Sequence, residues 1–302
     1  MDSVQRFGFL TGLGAYFIWG SLPLYIRMMR HIQPQELLAH RIIWSVPTAL
    51  VLIAIARNWR DIRAAFRWNT LKWLALSSVL IGSNWATYIW AVNADRNLEA
   101  SLGYYINPLV NVLFGMLIFG ERLRRAQWAA VGIATIGVAV MASAIGHMPW
   151  VSLFLCFTFG FYAVIRKKVL IDSRAGFLAE VAVLAPVALL YLAWFSQQPG
   201  GRAFGTGPGD VPLLMLAGPI TAFPLILFAL AAKRLKLSTI GMMQYIGPTL
   251  QFLIAIFVFR EAFTPTHAVA FGFIWMALVV FTTDSLLGEA KARRLARTAR
   301  PV

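Results

Sequence analysis

The chain has 302 residues, of which 59% are hydrophobic and only 13% charged, with a mean hydropathy of +0.70. A soluble domain is typically about 45–50% apolar and about 25% charged, so this composition excludes a soluble enzyme, a disordered tail and a disulfide scaffold. The net charge of +15 does not point to nucleic acid, because the basic residues fall in short gaps between long apolar runs. The single Cys156 lies in such a run and has no partner for an internal disulfide. The sequence describes an all-α integral membrane protein.

A membrane-crossing helix needs about 20 mostly apolar residues. Taken in chain order, that criterion gives ten spans: 7–29, 36–56, 71–92, 98–119, 125–145, 149–166, 176–195, 212–232, 237–259 and 266–287. The first is expected to be a true span, since its apolar stretch is long and no small-residue cleavage site precedes the second. Lys and Arg divide unevenly between alternate gaps, 21 against 5, the smaller set being Arg27, Arg30, Arg96, Arg202 and Arg260. Arg41 lies inside a span and completes the 27. The positive-inside rule then predicts that both termini are cytoplasmic, that a basic cytoplasmic tail occupies 288–302, and that 200–210 faces outward.

Sliding the chain against itself finds one productive offset, 140 residues. Tyr105-Ile106-x-Pro108 meets Tyr245-Ile246-x-Pro248, and Glu121 meets Glu261 with no gap. Leu113, Phe119, Ala130 and Gly132 meet Leu253, Phe259, Ala270 and Gly272, and Leu38-Ala39 meets Leu178-Ala179. Two five-span units are expected, 7–145 and 149–287. Five is odd, so the second unit enters the membrane inverted, an architecture shared by many secondary transporters with a site between the halves. A duplicated scaffold without a site is the plainer alternative.

Several segments resemble the RarD proteins, of the EamA group in the drug/metabolite transporter superfamily. They include Ala15-Tyr16-Phe17-Ile18-Trp19-Gly20, His40-Arg41-x-x-Trp44-Ser45, Gly82-x-Asn84-Trp85 and Ile89-Trp90-Ala91-Val92-Asn93. The run from Leu98 to Tyr104, Ile106-Asn107-Pro108-Leu109-Val110-Asn111, Gly120-Glu121-Arg122 and the run from Gln244 to Leu250 belong with them. The resemblance covers about residues 7 to 287. It implies ten helices, two EamA repeats, a multi-pass permease of the bacterial inner membrane and an association with chloramphenicol sensitivity. It implies no particular substrate.

Polar groups at membrane depth are costly unless paired or facing a watery cavity, which makes them site candidates. His40 and Arg41 lie about a turn and a half inside the second span, with Trp44 one turn further; Arg41 either lines a pathway or snorkels to the interface. Asn84, Trp85 and Tyr88 sit mid-span, Asn84 and Tyr88 on one helix face. Tyr104, Asn107 and Asn111 form a polar stripe broken by Pro108, and Gln244 and Gln251 form its counterpart around Pro248. The alternative for every amide is helix-packing glue. Glu180, which matches His40 at the repeat offset, is a candidate for proton coupling or for a capped or lipid-facing salt bridge. Glu36 suits a helix start, and Glu121 and Glu261 read as helix caps. Gly8-x-x-x-Gly12 reads as a packing stripe, and the glycine-rich stretch from Gly200 to Gly209 as a flexible loop without a phosphate-binding ending.

No nucleophile motif, metal spacing or cofactor motif stands out, so catalytic, metal and cofactor sites are all expected to be absent. The expected partners are a small-molecule substrate and the lipid bilayer, with no nucleic acid, and both monomer and homodimer open. A permease working by alternating access on a small amphiphilic or zwitterionic solute is the leading reading. A membrane sensor or assembly scaffold, and a lipid-modifying membrane enzyme, are the alternatives. Convergence of His40, Arg41 and Glu180 on one cleft would favour the enzyme.

Overall fold

In the computed structural model the described residues are all of the chain except 1–2, 95, 144–146, 200, 206, 208, 261–264 and 299–302. They fold as α1 (Ser3–Met28), α2 (Pro34–Ala56), a short α3 (Arg60–Ala65), α4 (Trp68–Asn93), α5 (Asn97–Phe119) and α6 (Arg125–Ser143). There follow α7 (Trp150–Lys168), α8 (Ser173–Phe195), α9 (Asp210–Ala232), α10 (Leu237–Gln244), α11 (Ile246–Leu253), a π-helical turn (Ile254–Val258) and α12 (Pro265–Thr298). Among the described residues nine helical stretches are long and apolar enough to cross a membrane, α10, α11 and the π turn together forming one of them. The 26-residue α4 is not among the nine. Its polar Asn69, Thr70, Lys72, Ser77, Ser78, Ser83 and Asn84 dilute its apolar content.

Local chemistry sets the helix ends. Pro34 opens α2 at a position where its missing N–H costs nothing, and the Asp172 carboxylate accepts from the amides of Arg174 and Ala175 at the start of α8. Gly120 closes α5 in the left-handed conformation, at φ 64°. Sequence reading missed α3, which sits in a basic gap, and α12 continues through the expected tail as far as Thr298. Ala, Arg, Lys, Glu and Leu dominate that extension, and all favour a helix. The two Tyr-Ile-x-Pro segments behave differently. Pro108 lies within a continuous α5, whereas the helix around Pro248 is divided at Tyr245 and ends in the π turn.

Helix pairs α1–α9, α2–α8, α2–α9, α4–α7, α5–α7, α5–α10 and α6–α12 make the main contacts. Small residues permit the closest of them. Gly8 and Gly12 of α1 face Arg234, Leu235 and Met243, and Gly241 of α10 faces the Pro108 carbonyl of α5. The tightest approach of one helix to another is at Gly218 of α9, where an added Cβ would stand 2.2 Å from the Trp44 carbonyl oxygen of α2. The largest apolar core is threaded by rings from three helices. Trp19, Phe159 and Phe228 have centroids 5.4–5.9 Å apart, and Tyr16 and Tyr162 flank Phe228.

Gly218→Val is expected to force α2 and α9 apart and destabilise the protein by about 1–3 kcal/mol, while Gly132→Ala, with open space around it, is neutral. Thermal unfolding of both variants in detergent checks the difference.

Candidate functional site

Arg41 sits seven residues into α2, about 10 Å along the helix axis. It is half-buried and does not snorkel outward. Its Nε donates to Thr221 Oγ1 on α9 at 3.0 Å, and its guanidinium lies 5.0 Å from the Trp85 ring centroid on α4. Tyr25 of α1, Tyr88 of α4 and Tyr104 of α5 stand within electrostatic reach. The Tyr88 and Tyr104 rings meet edge to face at 5.7 Å, and the Tyr25 hydroxyl donates to Leu213 O at 2.9 Å. Five helices thus build an aromatic cage around one cation. Sequence reading named Arg41, Trp85, Tyr88 and Tyr104 but missed Tyr25 and Thr221. Periodicity within one span carries no signal for a partner 180 residues away.

The other candidates are placed differently. His40 is buried and turned to the 201–209 loop. Its Nε2 donates to Ala203 O at 2.6 Å, while Nδ1 accepts from the indole N–H of Trp44 at 3.2 Å, and these partners fix the tautomer. The same loop donates Gly205 N to Glu36 Oε1 and Gly207 N to Asp210 Oδ2, and Asp210 also pairs with His31 at 2.7 Å. At Ala203, Gly205 and Gly207 the stretch expected to be a flexible loop is therefore held by three polar side chains.

The amides work between helices. Asn84 donates to Leu155 O and Thr158 Oγ1 of α7, Asn111 donates to Gln244 Oε1 across the α5–α10 crossing, and Gln251 donates to Trp19 O of α1. Asn107 is buried, and its Oδ1 has no hydrogen-bond partner among the described residues. None of these five joins the Arg41 cage. The apolar groove of about 470 Å³ between α2, α4 and α8, lined by Leu38, Ile42, Ile89 and Tyr191, is also separate from it.

At the opposite end, Glu180 is fully buried and is not a lipid-facing residue. Its Oε1 accepts from Ser77 Oγ at 2.5 Å and pairs with Arg166 Nη1 at 3.3 Å, and its backbone carbonyl accepts from Ser78. Arg166 is 1% exposed and also donates to Ser173 O. Lys167 donates to Ala232 O and Leu235 O, and Lys233 to Ile171 O, so this end is closed by backbone-directed cations. Burial first, then the neighbouring Arg166, push the Lys233 ammonium down to about 8. Glu121 caps a helix, as expected, but the helix is α10. Its carboxylate accepts from the amides of Leu237 and Ser238 and from the Ser238 hydroxyl. Glu261 lies outside the described residues.

Three further described acids are buried elsewhere: Glu36, Asp210, and Glu99, which is paired with Arg96 at 3.2 Å and accepts from Val151 N. His40, Arg41 and Glu180 do not converge: they face the 201–209 loop, the α4–α9 side and the α4–α7 side respectively. Among the described residues no three His, Cys, Asp or Glu side chains are grouped to hold a metal ion.

Residues 6–143 match the EamA-like transporter family. The chain is 44% identical over 289 residues to an uncharacterized transporter of Vibrio cholerae, covering 95% of each protein. It is 44% identical over 293 residues to Protein RarD of Salmonella typhimurium, covering 96% of this chain and 100% of that one. A crystal structure matches 91% of this chain and 97% of its own with a TM-score of 0.72; at 20% identity it bears on the fold alone. Together with the apolar helices, these matches define a multi-pass transporter of the drug/metabolite type in the bacterial inner membrane. The relatives' names point to transport and not to enzymatic turnover. The chain belongs to the RarD family.

Glu180→Leu is expected to strand the Arg166 charge and cost about 3–5 kcal/mol, whereas the double change Arg166→Met with Glu180→Leu recovers most of that loss. Thermal unfolding in detergent reads both variants. Acetylation of Lys233, followed by mass spectrometry across pH 6–11, is expected to show a midpoint near 8, below the ordinary lysine value of about 10.4. Because the unfolded lysine holds its proton more tightly, unfolded chains bind the extra proton between those two values. Lys233 therefore adds to stability as pH rises from about 8 toward 10.

Proposed function

We propose that the protein is a secondary permease that moves a small amphiphilic or zwitterionic organic solute by alternating access through the Arg41 cage. One observation carries the reading: a half-buried cation, oriented by α9 and ringed by aromatics from α1, α4 and α5, lies between two ends of the bundle that are closed in different ways. Away from the 201–209 loop, Arg166, Glu180, Ser77 and Lys233 form a dry seal. On the loop side, closure rests on side-chain contacts from His40, Glu36 and Asp210 to an irregular segment. Opening one end while the other stays shut is what alternating access requires. In this scheme Glu180, at the centre of the dry seal, is the residue through which a proton would be coupled.

We further infer ten crossing helices in two inverted units, 7–145 and 149–287, with both termini in the cytoplasm. The positions of the helix starts support the repeat: Asn97 and Leu237, and Arg125 and Pro265, are each 140 apart. The packing partners support it too. Under that offset α1–α9 corresponds to α4–α7, α2–α9 to α4–α8, and α5–α7 to the contacts of α1 with α10 and α11. The pairs α2–α8, α5–α10 and α6–α12 correspond to themselves, as pairs on a two-fold axis do. Tyr245, the repeat mate of Tyr105, donates its hydroxyl to the Tyr105 carbonyl at that crossing. α4 then completes the ten, its hydroxyls and Asn84 satisfied against α7 and α8.

Sealed proteoliposomes preloaded with unlabelled solute are expected to accelerate entry of the labelled solute, the trans-stimulation of a carrier with one alternating site. Linear uptake without trans-stimulation at any solute in a metabolite panel refutes alternating access. Reporter fusions after 298 and within 201–209 are expected to report cytoplasm and exterior respectively, and the reverse result overturns the topology.

A further inference from the structure

Arg41 spends little of its hydrogen-bonding capacity on the protein. Nε is committed to Thr221 Oγ1, and Thr221 in turn donates to Ala217 O, so α9 fixes the guanidinium plane. Trp85 holds it from a second side. The two Nη groups make no hydrogen bond to any described residue, and no described carboxylate pairs with the charge. Buried acids elsewhere in the fold are committed to other partners, Glu36 to Gly205 N, Asp210 to His31 and Gly207 N, and Glu99 to Arg96 and Val151 N. The Tyr88 and Tyr104 hydroxyls also have no partner among the described residues, while Tyr25 is satisfied by Leu213 O.

A guanidinium at this depth calls for a compensating negative charge. Aromatic faces and phenol groups moderate its cost without neutralising it. We propose that the counter-charge comes from the solute, which is a small organic monoanion: one carboxylate on a flat, apolar or aromatic body. The carboxylate takes the Arg41 fork in two parallel hydrogen bonds, with a phenol from Tyr88 or Tyr104 as a further donor. The flat body lies along the Trp85, Tyr88 and Tyr104 rings.

This proposal rests on the permease reading and narrows it, since that reading admits zwitterions and neutral amphiphiles. Charge accounting separates the classes. A phosphate monoester brings up to two negative charges and three acceptor oxygens, and a single guanidinium answers too few of them. A zwitterion brings an ammonium, and the described lining offers it no carboxylate. A neutral amide leaves Arg41 uncompensated. Only a monoanion brings the cage to neutrality.

The test uses the full chain in nanodiscs at pH 7, with phenylacetate, phenylacetamide, phenethylamine and L-phenylalanine as probes. Phenylacetate is expected to raise Tm and bind about 10- to 100-fold more tightly than each of the other three, the range spanned by a hydrogen-bonded charge. Arg41→Gln is expected to remove that discrimination. Thr221→Val, which keeps the charge and loosens its orientation, is expected to weaken phenylacetate several-fold, and it serves where Arg41→Gln does not fold. The proposal is overturned if phenylacetamide or phenylalanine binds as tightly as phenylacetate, if neither variant changes phenylacetate binding, or if phenylacetate does not bind. Trans-stimulated transport of a neutral or zwitterionic solute in the proteoliposome assay would then leave the permease reading standing without this one.

Discussion

Inside a membrane bundle, a polar side chain must find its partner within the bundle, because hydrocarbon offers none. That constraint accounts for most of the polar architecture here. Asn84 fastens α4 to α7, Asn111 and Gln244 fasten α5 to α10, and Gln251 fastens α11 to α1. Ser77 and Ser78 fasten α4 to α8. Each joins elements far apart in sequence, so the amides and hydroxyls set which helices are neighbours while the small residues set how closely they approach. Gly218 against Trp44 shows the second role, and Ser45 beside it, donating to Arg41 O, shows the first kind of group turned back on its own helix.

The two ends of the bundle satisfy the same constraint by different means. Where α7 turns into α8, a buried acid, a buried arginine and two lysines aimed at backbone carbonyls leave little for water to solvate. Where α2 begins, the partners are the amides and carbonyls of a glycine-rich loop, offered by Ala203, Gly205 and Gly207. Contacts to loop backbone are released by moving the loop. Contacts between side chains on four packed elements are released only by moving the elements. The asymmetry places His40 and Glu180, equivalent at the 140-residue offset, in opposite structural settings.

The helices themselves were legible because long apolar runs have one stable form in a bilayer. Six of the ten stretches read from the sequence fall wholly within one helix; 7–29 and 149–166 overrun α1 and α7 by one residue, 125–145 runs past the described end of α6, and 237–259 is divided among α10, α11 and the π turn. The helix most diluted by polar residues is α4, and its serines and Asn84 are the groups that bind it to α7 and α8. Pairing was much less legible. Arg166 reads as one of several basic residues at a helix end, yet it is almost wholly buried, because its acid is supplied by the next helix. Glu121 reads as a cap for the helix that follows it and caps α10 instead, 116 residues on. The polar stripe of Tyr104, Asn107 and Asn111 looks uniform at helical spacing, but Tyr104 faces the cage while Asn111 faces Gln244. Spacing gives the face of one helix; only the packing decides what that face meets.

Arg41 and Arg166 make the decisive comparison. Both are arginines within helices, both are drawn inward, and both have one hydrogen bond that fixes the guanidinium plane, to Thr221 in one case and to the Ser173 carbonyl in the other. Arg166 then meets Glu180 and disappears from solvent, which makes it part of the packing. Arg41 meets rings and hydroxyls and stays partly open, with no described carboxylate paired to it. A bundle that needed Arg41 only for stability would gain more from an apolar residue of similar volume at that position, since an unpaired buried charge costs free energy. On the proposal that the solute brings a complementary charge, that cost is balanced and the first arginine becomes part of a binding site, while the second is part of a wall.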